Sequence, residues 1–224
     1  MVGKNLSGQG WVIARSNHFG SSNHISGTVL DPTKGRFDFI AFGASQEKSH
    51  RGQTLLLGNE VGFQLEDRGQ ERYVLTEAQL ISDNSDIKET PEKLKAFFLL
   101  CDVWYHLLVE EKPYPETANI FTLLKTQKNF YHLVLVHLIQ LFYEENLFPD
   151  WKHITPEEKS EYFISIDLPH WQMGNGSWRF LFDTSQQPLT FFIDKLPSQA
   201  VIQEILTLLR AAYHAYTNDE MFHF

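Results

Sequence analysis

Between residues 34 and 51 the chain alternates cations with aromatic rings: Lys34 and Arg36, then Phe37, Phe39 and Phe42, then Lys48, His50 and Arg51. These side chains have a joint use. Ammonium and guanidinium groups neutralise phosphates and release counterions, and ring faces stack bases of any sequence. Lys34, Arg36, Lys48 and Arg51 are therefore the leading candidates for contact with single-stranded DNA, and Arg15, Arg68 and Arg72 are secondary ones. Trp11 and Phe19 are further candidate platforms. On a strand Phe37 and Phe39 point the same way and Phe42 the other. One set must fill a core, the commoner fate of a phenylalanine.

Other chemistries find little support. His132 and His137 lie five residues apart, about 140° around a helix, so they do not share a face. His18 and His24 flank a turn and have no acidic neighbour at ligand spacing. The one cysteine, Cys101, lies in an apolar stretch and reads as a core residue; it permits neither an internal disulfide nor a four-cysteine zinc site. No Gly-x-Ser-x-Gly elbow, phosphate-loop, dinucleotide or His-Glu-x-x-His motif occurs. Glu110-Glu111 and Glu144-Glu145 read as solvated helix ends. No nucleophile, base and orienting group stand together, so the expectation is a protein without catalytic residues, metal or cofactor.

The elements that must position these residues follow from pattern and punctuation. Trp11 to His18, His24 to Asp31, Arg36 to Phe42, Thr54 to Glu66 and Arg72 to Ile81 are five runs rich in Val, Ile, Phe, Leu and Thr, parted by turn residues. Five short strands in so short a stretch predict a small closed barrel of the OB type. Gly58 and Gly62, inside the fourth run, suit a bulge or a barrel corner. The polar stretch 82–90 marks a domain boundary, giving a barrel over 1–82 and a mainly helical domain over 90–224.

Thr90 and Pro91 open a helix with an apolar face at Leu94, Phe97, Phe98, Cys101, Trp104, Tyr105 and Leu108. A second helix spans Glu116 to Thr126, and a third, Phe130 to Asn146, is apolar nearly all round. Its histidines, glutamine and glutamates argue against a membrane span, and the polar N-terminal residues against a signal peptide. Thr155-Pro156-Glu157-Glu158 has capping-box spacing. Phe163 to Leu168, Trp178 to Asp183 and Leu189 to Asp194 read as short strands, the last two forming a hairpin through Ser185-Gln186-Gln187-Pro188. A last helix starts near Ser198. The overall class is α+β.

Charge is unevenly shared. Residues 1–82 hold eight basic and eight acidic side chains, and the rest hold eleven and twenty, so the latter carry the whole net charge of −9. Two surfaces with different partners are implied.

The chain resembles the RecO family of bacterial recombination mediators, with coverage over most of its length. Gly10-Trp11-Val12-Ile13-Ala14-Arg15 is similar to that family's opening strand. His18-Phe19-Gly20-Ser21-Ser22-Asn23 follows at the expected place, and Val29-Leu30-Asp31-Pro32-Thr33-Lys34-Gly35-Arg36 resembles its glycine turn. Ala41-Phe42-Gly43-Ala44-Ser45, then Lys48-Ser49, resembles its "Ala-basic-Gly-Ala-Arg … Lys-Ser" loop. Glu77-Ala78-Gln79-Leu80-Ile81 resembles its closing strand, and Asn119-Ile120-Phe121-Thr122-Leu123-Leu124 its "Leu-Phe-x-x-Leu" helix.

The resemblance implies a cytoplasmic, non-catalytic protein that binds single-stranded DNA and anneals complementary strands. It also implies action with RecR to load RecA on strands coated with single-strand-binding protein. The chain departs from the pattern where Phe42 and Ser45 stand at basic positions, and it lacks the four-cysteine zinc module of many relatives. These losses point to an alternative, an OB-fold protein-interaction module with little DNA affinity.

Overall fold

The computed structural model describes residues 5–17, 23–45, 49–69, 72–128 and 130–218. It is an α+β protein in which a five-stranded sheet precedes a run of helices. The strands are β1 (Asn5–Asn17), β2 (Ile25–Asp31), β3 (Gly35–Ala41), β4 (Glu60–Glu66) and β5 (Tyr73–Ser82), with a short helix α1 (His50–Thr54) between β3 and β4. Each strand pairs with two others, so the sheet closes on itself in the order β1-β2-β3-β5-β4. All pairings are antiparallel except that of β3 with β5.

Alternation puts Val12, Ile25, Val29, Phe37, Phe39, Val61, Phe63, Leu65 and Leu75 inside the closed sheet. Ala44 and Leu55, from the turn after β3 and the end of α1, join the same core. The expected single strand over Thr54 to Glu66 is thus a correction: it begins only at Glu60. Ser49 caps α1 by accepting from Gly52 N (3.2 Å), Gly58 turns the chain at φ +83°, and Asn59 Nδ2 donates to Thr54 O (3.0 Å). The side-chain cap and buried Leu55 favour a helical turn where composition alone suggested a strand.

Contacts divide the chain into two compact units, residues 1–121 and 122–224. The first unit includes α2 (Ser85–Lys88) and α3 (Pro91–Leu107) besides the sheet. α3 starts where the sequence predicts: Thr90 Oγ1 accepts from Lys93 N (3.2 Å) and Pro91 occupies the first turn. It buries Phe97, Leu100, Cys101 and Trp104. α4 (Glu116–Thr126) follows, and its Phe121 is the last residue of the first unit.

The second unit is built around α5 (Tyr131–Glu144), whose side chains from His132 to Ile139 are all buried. α6 (Pro156–Ser165), α7 (Asn175–Gln186), a 3-10 turn (Leu189–Phe192) and α8 (Gln199–Thr217) complete it, with α7, α8 and the turn packed on α5. The predicted capping box is present at Thr155 and Glu158, and Ser198 caps α8.

The expected C-terminal strands and hairpin are not. Phe163 lies in α6, Trp178 to Asp183 in α7, and Leu189 to Phe192 in the 3-10 turn. The physical reason is periodicity. Ser177, Leu181 and Thr184 are buried, at the i, i+4, i+7 spacing of one helix face. A strand would have placed Leu181 and Thr184 on opposite faces.

Candidate nucleic-acid interface

The first unit presents two outer sheet faces with different surroundings. Along β2 every residue is buried, including Ser26, Thr28 and Leu30, which point away from the core. The cover comes from α3 and the chain after it. Trp11 of β1 stacks on Phe121 with centroids 4.1 Å apart, and Phe121 also meets Trp104 and Phe97. Pro32 O accepts from Tyr114 N (2.9 Å). Gly35, at φ +104°, has no room for a side chain, since a Cβ there would lie 2.6 Å from Lys112 N.

The opposite face, across β1, β4 and β5, is open. It forms a groove of about 600 Å³ lined by residues including Ser7, Gln64, Glu77 and Gln79 from the strands and His50 and Arg51 from α1. Gln64 Nε2 donates to Glu77 Oε2 (2.7 Å), and near the rim Gln9 Nε2 donates to Glu60 Oε1 (2.7 Å).

The predicted cations do not assemble into one track. Lys34 is exposed, but its Nζ donates to Ser7 O. Beside it the Asp31 carboxylate accepts from Gln9 N (3.2 Å), Thr33 N (2.8 Å) and Thr33 Oγ1 (2.7 Å). Together they cover the part of β1 that runs past the end of β2, satisfying polar groups that would otherwise form an open edge. Arg36 is half-buried: its Nη1 donates to Tyr105 O, its guanidinium lies 5.5 Å from the Tyr105 ring centroid, and its buried Nε has no hydrogen-bond partner among the described residues.

Arg51 Nη2 donates to Thr76 O (2.9 Å), tying α1 to β5. Arg68 forms an exposed pair with Glu66, its Nε and Nη2 both donating to Oε2 (2.9 and 2.7 Å). Arg15 and Arg72 are exposed, and Lys48 lies outside the described residues.

Carboxylates crowd the Arg36 side. Burial first, and then Asp38, push the Glu110 carboxyl above its usual range despite nearby Arg36. Burial and the hydrogen bond from Tyr73 Oη to Glu111 Oε1 (3.0 Å) push the Tyr73 phenol up to about 12. Such surroundings disfavour a phosphate there.

No family model matches the chain, and no curated protein matches it.

Of the candidate rings, Phe37 and Phe39 are core, and Trp11 is consumed by its stack on Phe121. Phe19 and His18 lie outside the described residues. Phe42 is 46 % exposed and meets the His24 ring edge-on at 4.9 Å, while His24 Nδ1 accepts from Gly43 N (3.1 Å). It is thus a fixed, accessible ring at the end of β3. The sequence signal was its opposite parity to Phe37 and Phe39. The groove itself was missed; only the glycine at 62 and the polar outward positions of β4 and β5 hinted at it.

Elsewhere, among the described residues, no cluster of three His, Cys, Asp or Glu could hold a metal ion, and no helix is long and apolar enough to cross a membrane. Burial pushes the Cys101 thiol up and holds His137 down at about pH 4, so both are neutral near pH 7. His132 Nε2 lies 2.8 Å from Phe192 O and serves packing of the second unit.

Proposed function

We propose that the chain is a non-catalytic RecO-type recombination and repair protein whose closed sheet is an OB-fold barrel. One observation carries the reading: the order β1-β2-β3-β5-β4, with β3 parallel to β5 and a short helix between β3 and β4. This is a small closed Greek-key sheet of the kind that binds oligonucleotides. Together with the sequence resemblance it supports a protein that binds single-stranded DNA, anneals complementary strands and acts with RecR to load RecA on strands coated with single-strand-binding protein. Its place of action on this reading is the cytoplasm.

DNA affinity on this reading is weak, because Lys34 and Arg36 already bond backbone carbonyls, Arg51 gives one donor to another and Arg68 is paired. The same observation favours a second reading, an OB-fold protein-interaction module with little DNA affinity. Fluorescence anisotropy of a labelled single strand at low salt separates the two. Binding at micromolar protein that falls as salt rises supports the mediator, as does faster annealing of complementary oligonucleotides. A flat anisotropy trace at low salt, with annealing no faster than in buffer, leaves only the interaction module.

A further inference from the structure

We propose that single-stranded DNA lies in the open groove across β1, β4 and β5, and not on the outer face of β2 and β3. The inference rests on the mediator reading and adds the face and the mode of contact. OB barrels commonly bind oligonucleotides on the face of their second and third strands. Here β2 is buried along its whole length and Arg36 of β3 is bonded to α3, so the molecule has covered that face with its own chain. The groove is the broad concavity left on the sheet's other side.

Its chemistry suits base edges better than phosphates. Gln64 and Gln79 offer amides that both donate and accept, and Ser7 a hydroxyl. Gln64 holds one oxygen of Glu77, leaving the other to accept from an exocyclic amine. Arg51 lines the groove and is held by one Nη2 bond to Thr76 O, and its charge complements a phosphate or a guanine edge. His50 stands beside it.

Gly62 keeps the floor flat. Among the described residues a Cβ there would meet only Ile81 Cδ1, at 3.7 Å, so the position is open and a planar base can approach the backbone. Ile81, 49 % exposed, supplies an apolar edge next to it. With one permanent cation and Glu77 in the lining, phosphate neutralisation is a minor part of binding.

The test is anisotropy of a fluorescein-labelled oligodeoxynucleotide with the full chain and two pairs of variants. Gly62→Glu places bulk and negative charge on the groove floor, and Val109→Glu places the same charge on the exposed segment over the covered side. Gly62→Glu is expected to weaken binding by roughly tenfold, with Val109→Glu within about twofold of the parent. Gln79→Lys is expected to tighten binding and to steepen the salt slope by about 0.7, with Val109→Lys lacking both effects. This pair decides the matter if Gly62→Glu does not fold.

Parent protein that binds, with Gly62→Glu or Gln79→Lys indistinguishable from the matching Val109 variant, overturns the groove and leaves the mediator reading intact. Parent protein that binds no strand at low salt overturns both.

Discussion

β2 and β5 both pair with β3, one antiparallel and the other parallel, yet they end in opposite surroundings. The outward residues of β2 are Ser26, Thr28 and Leu30, small or apolar, and all are buried. β5 turns outward with Glu77, Gln79 and Ile81, and these are exposed. Helix α3 and its following segment therefore settle where burial gains apolar contact and few polar groups need new partners. The cations follow the same division. Arg36, on the covered side, is bonded into the cover, whereas Arg51, on the open side, gives one donor to Thr76 O and lines the groove. A cation close to a sheet in sequence is thus available for a ligand only if the chain itself has not claimed it.

The largest expected effect tests whether the cover is as firm as the stack implies. Trp11→Ala removes the ring lying 4.1 Å from Phe121 and leaves a cavity beside Trp104 and Phe97. Urea unfolding should show a loss of about 4 kcal/mol. Ile81→Ala, on the open side, should cost about 0.5 kcal/mol or less. Trp11 Nε1 is buried without a hydrogen-bond partner among the described residues, so Trp11→Phe should retain most of the stability while removing that unsatisfied donor. Equal losses from Trp11→Ala and Ile81→Ala would mean that the two sides do not differ energetically.

A smaller effect separates two glycines of the sheet. A Cβ at Gly10 would lie 2.1 Å from Leu30 O, a backbone atom of the covered β2 that cannot yield without moving the strand. At Gly62 a Cβ reaches, among the described residues, only Ile81 Cδ1. Gly10→Ala is expected to destabilise by about 3 kcal/mol and Gly62→Ala by no more than about 0.5 kcal/mol. Chemical denaturation of both, run side by side, checks the pair. A tolerated Gly10→Ala would show that β1 and β2 can separate, and with them the cover.

How far the sequence disclosed this arrangement depends on the range of the forces involved. The caps at Thr90, Thr155 and Ser198 were legible because each is set by a side chain and a backbone N–H three residues on. Strands with clean alternation, such as Phe37 and Phe39 in β3, were legible for the same reason. The run from Thr54 to Asn59 was not. A short apolar stretch fits strand or helix, and here the buried position of Leu55 at the end of α1 decides. Trp178 to Asp183 was misread because aromatic content outweighed the spacing of Ser177, Leu181 and Thr184.

The site was least legible. Lys34, Arg36 and Arg51 bond carbonyls 27, 69 and 25 residues away, and no local pattern encodes those partners. Even Asp31, read from the sequence only as the end of the second run, accepts from Gln9 N on β1. Which cations stay free for a ligand is a property of tertiary structure.

The smallest effect concerns charge on the covered side. Glu110 pairs through its backbone with Arg36, but burial, Asp38 and Glu111 raise its carboxyl pKa by more than Arg36 lowers it. A carboxyl with a folded-state pKa above its unfolded value favours folding in its protonated form. That contribution is complete below the unfolded pKa, near 4.5, and is lost as pH rises through the folded value. At pH 7 the ionised Glu110 is therefore a net cost, and Glu110→Gln should raise stability by about 0.5 kcal/mol, since solvent screens a partly exposed group. The gain should shrink as pH falls toward 4, because the wild-type carboxyl is then protonated and resembles the amide. Urea midpoints of the two proteins at pH 7 and pH 4 measure it. A loss at pH 7 would mean that attraction to Arg36 outweighs burial, making the covered side an ion-paired surface instead of one that tolerates a strained carboxylate.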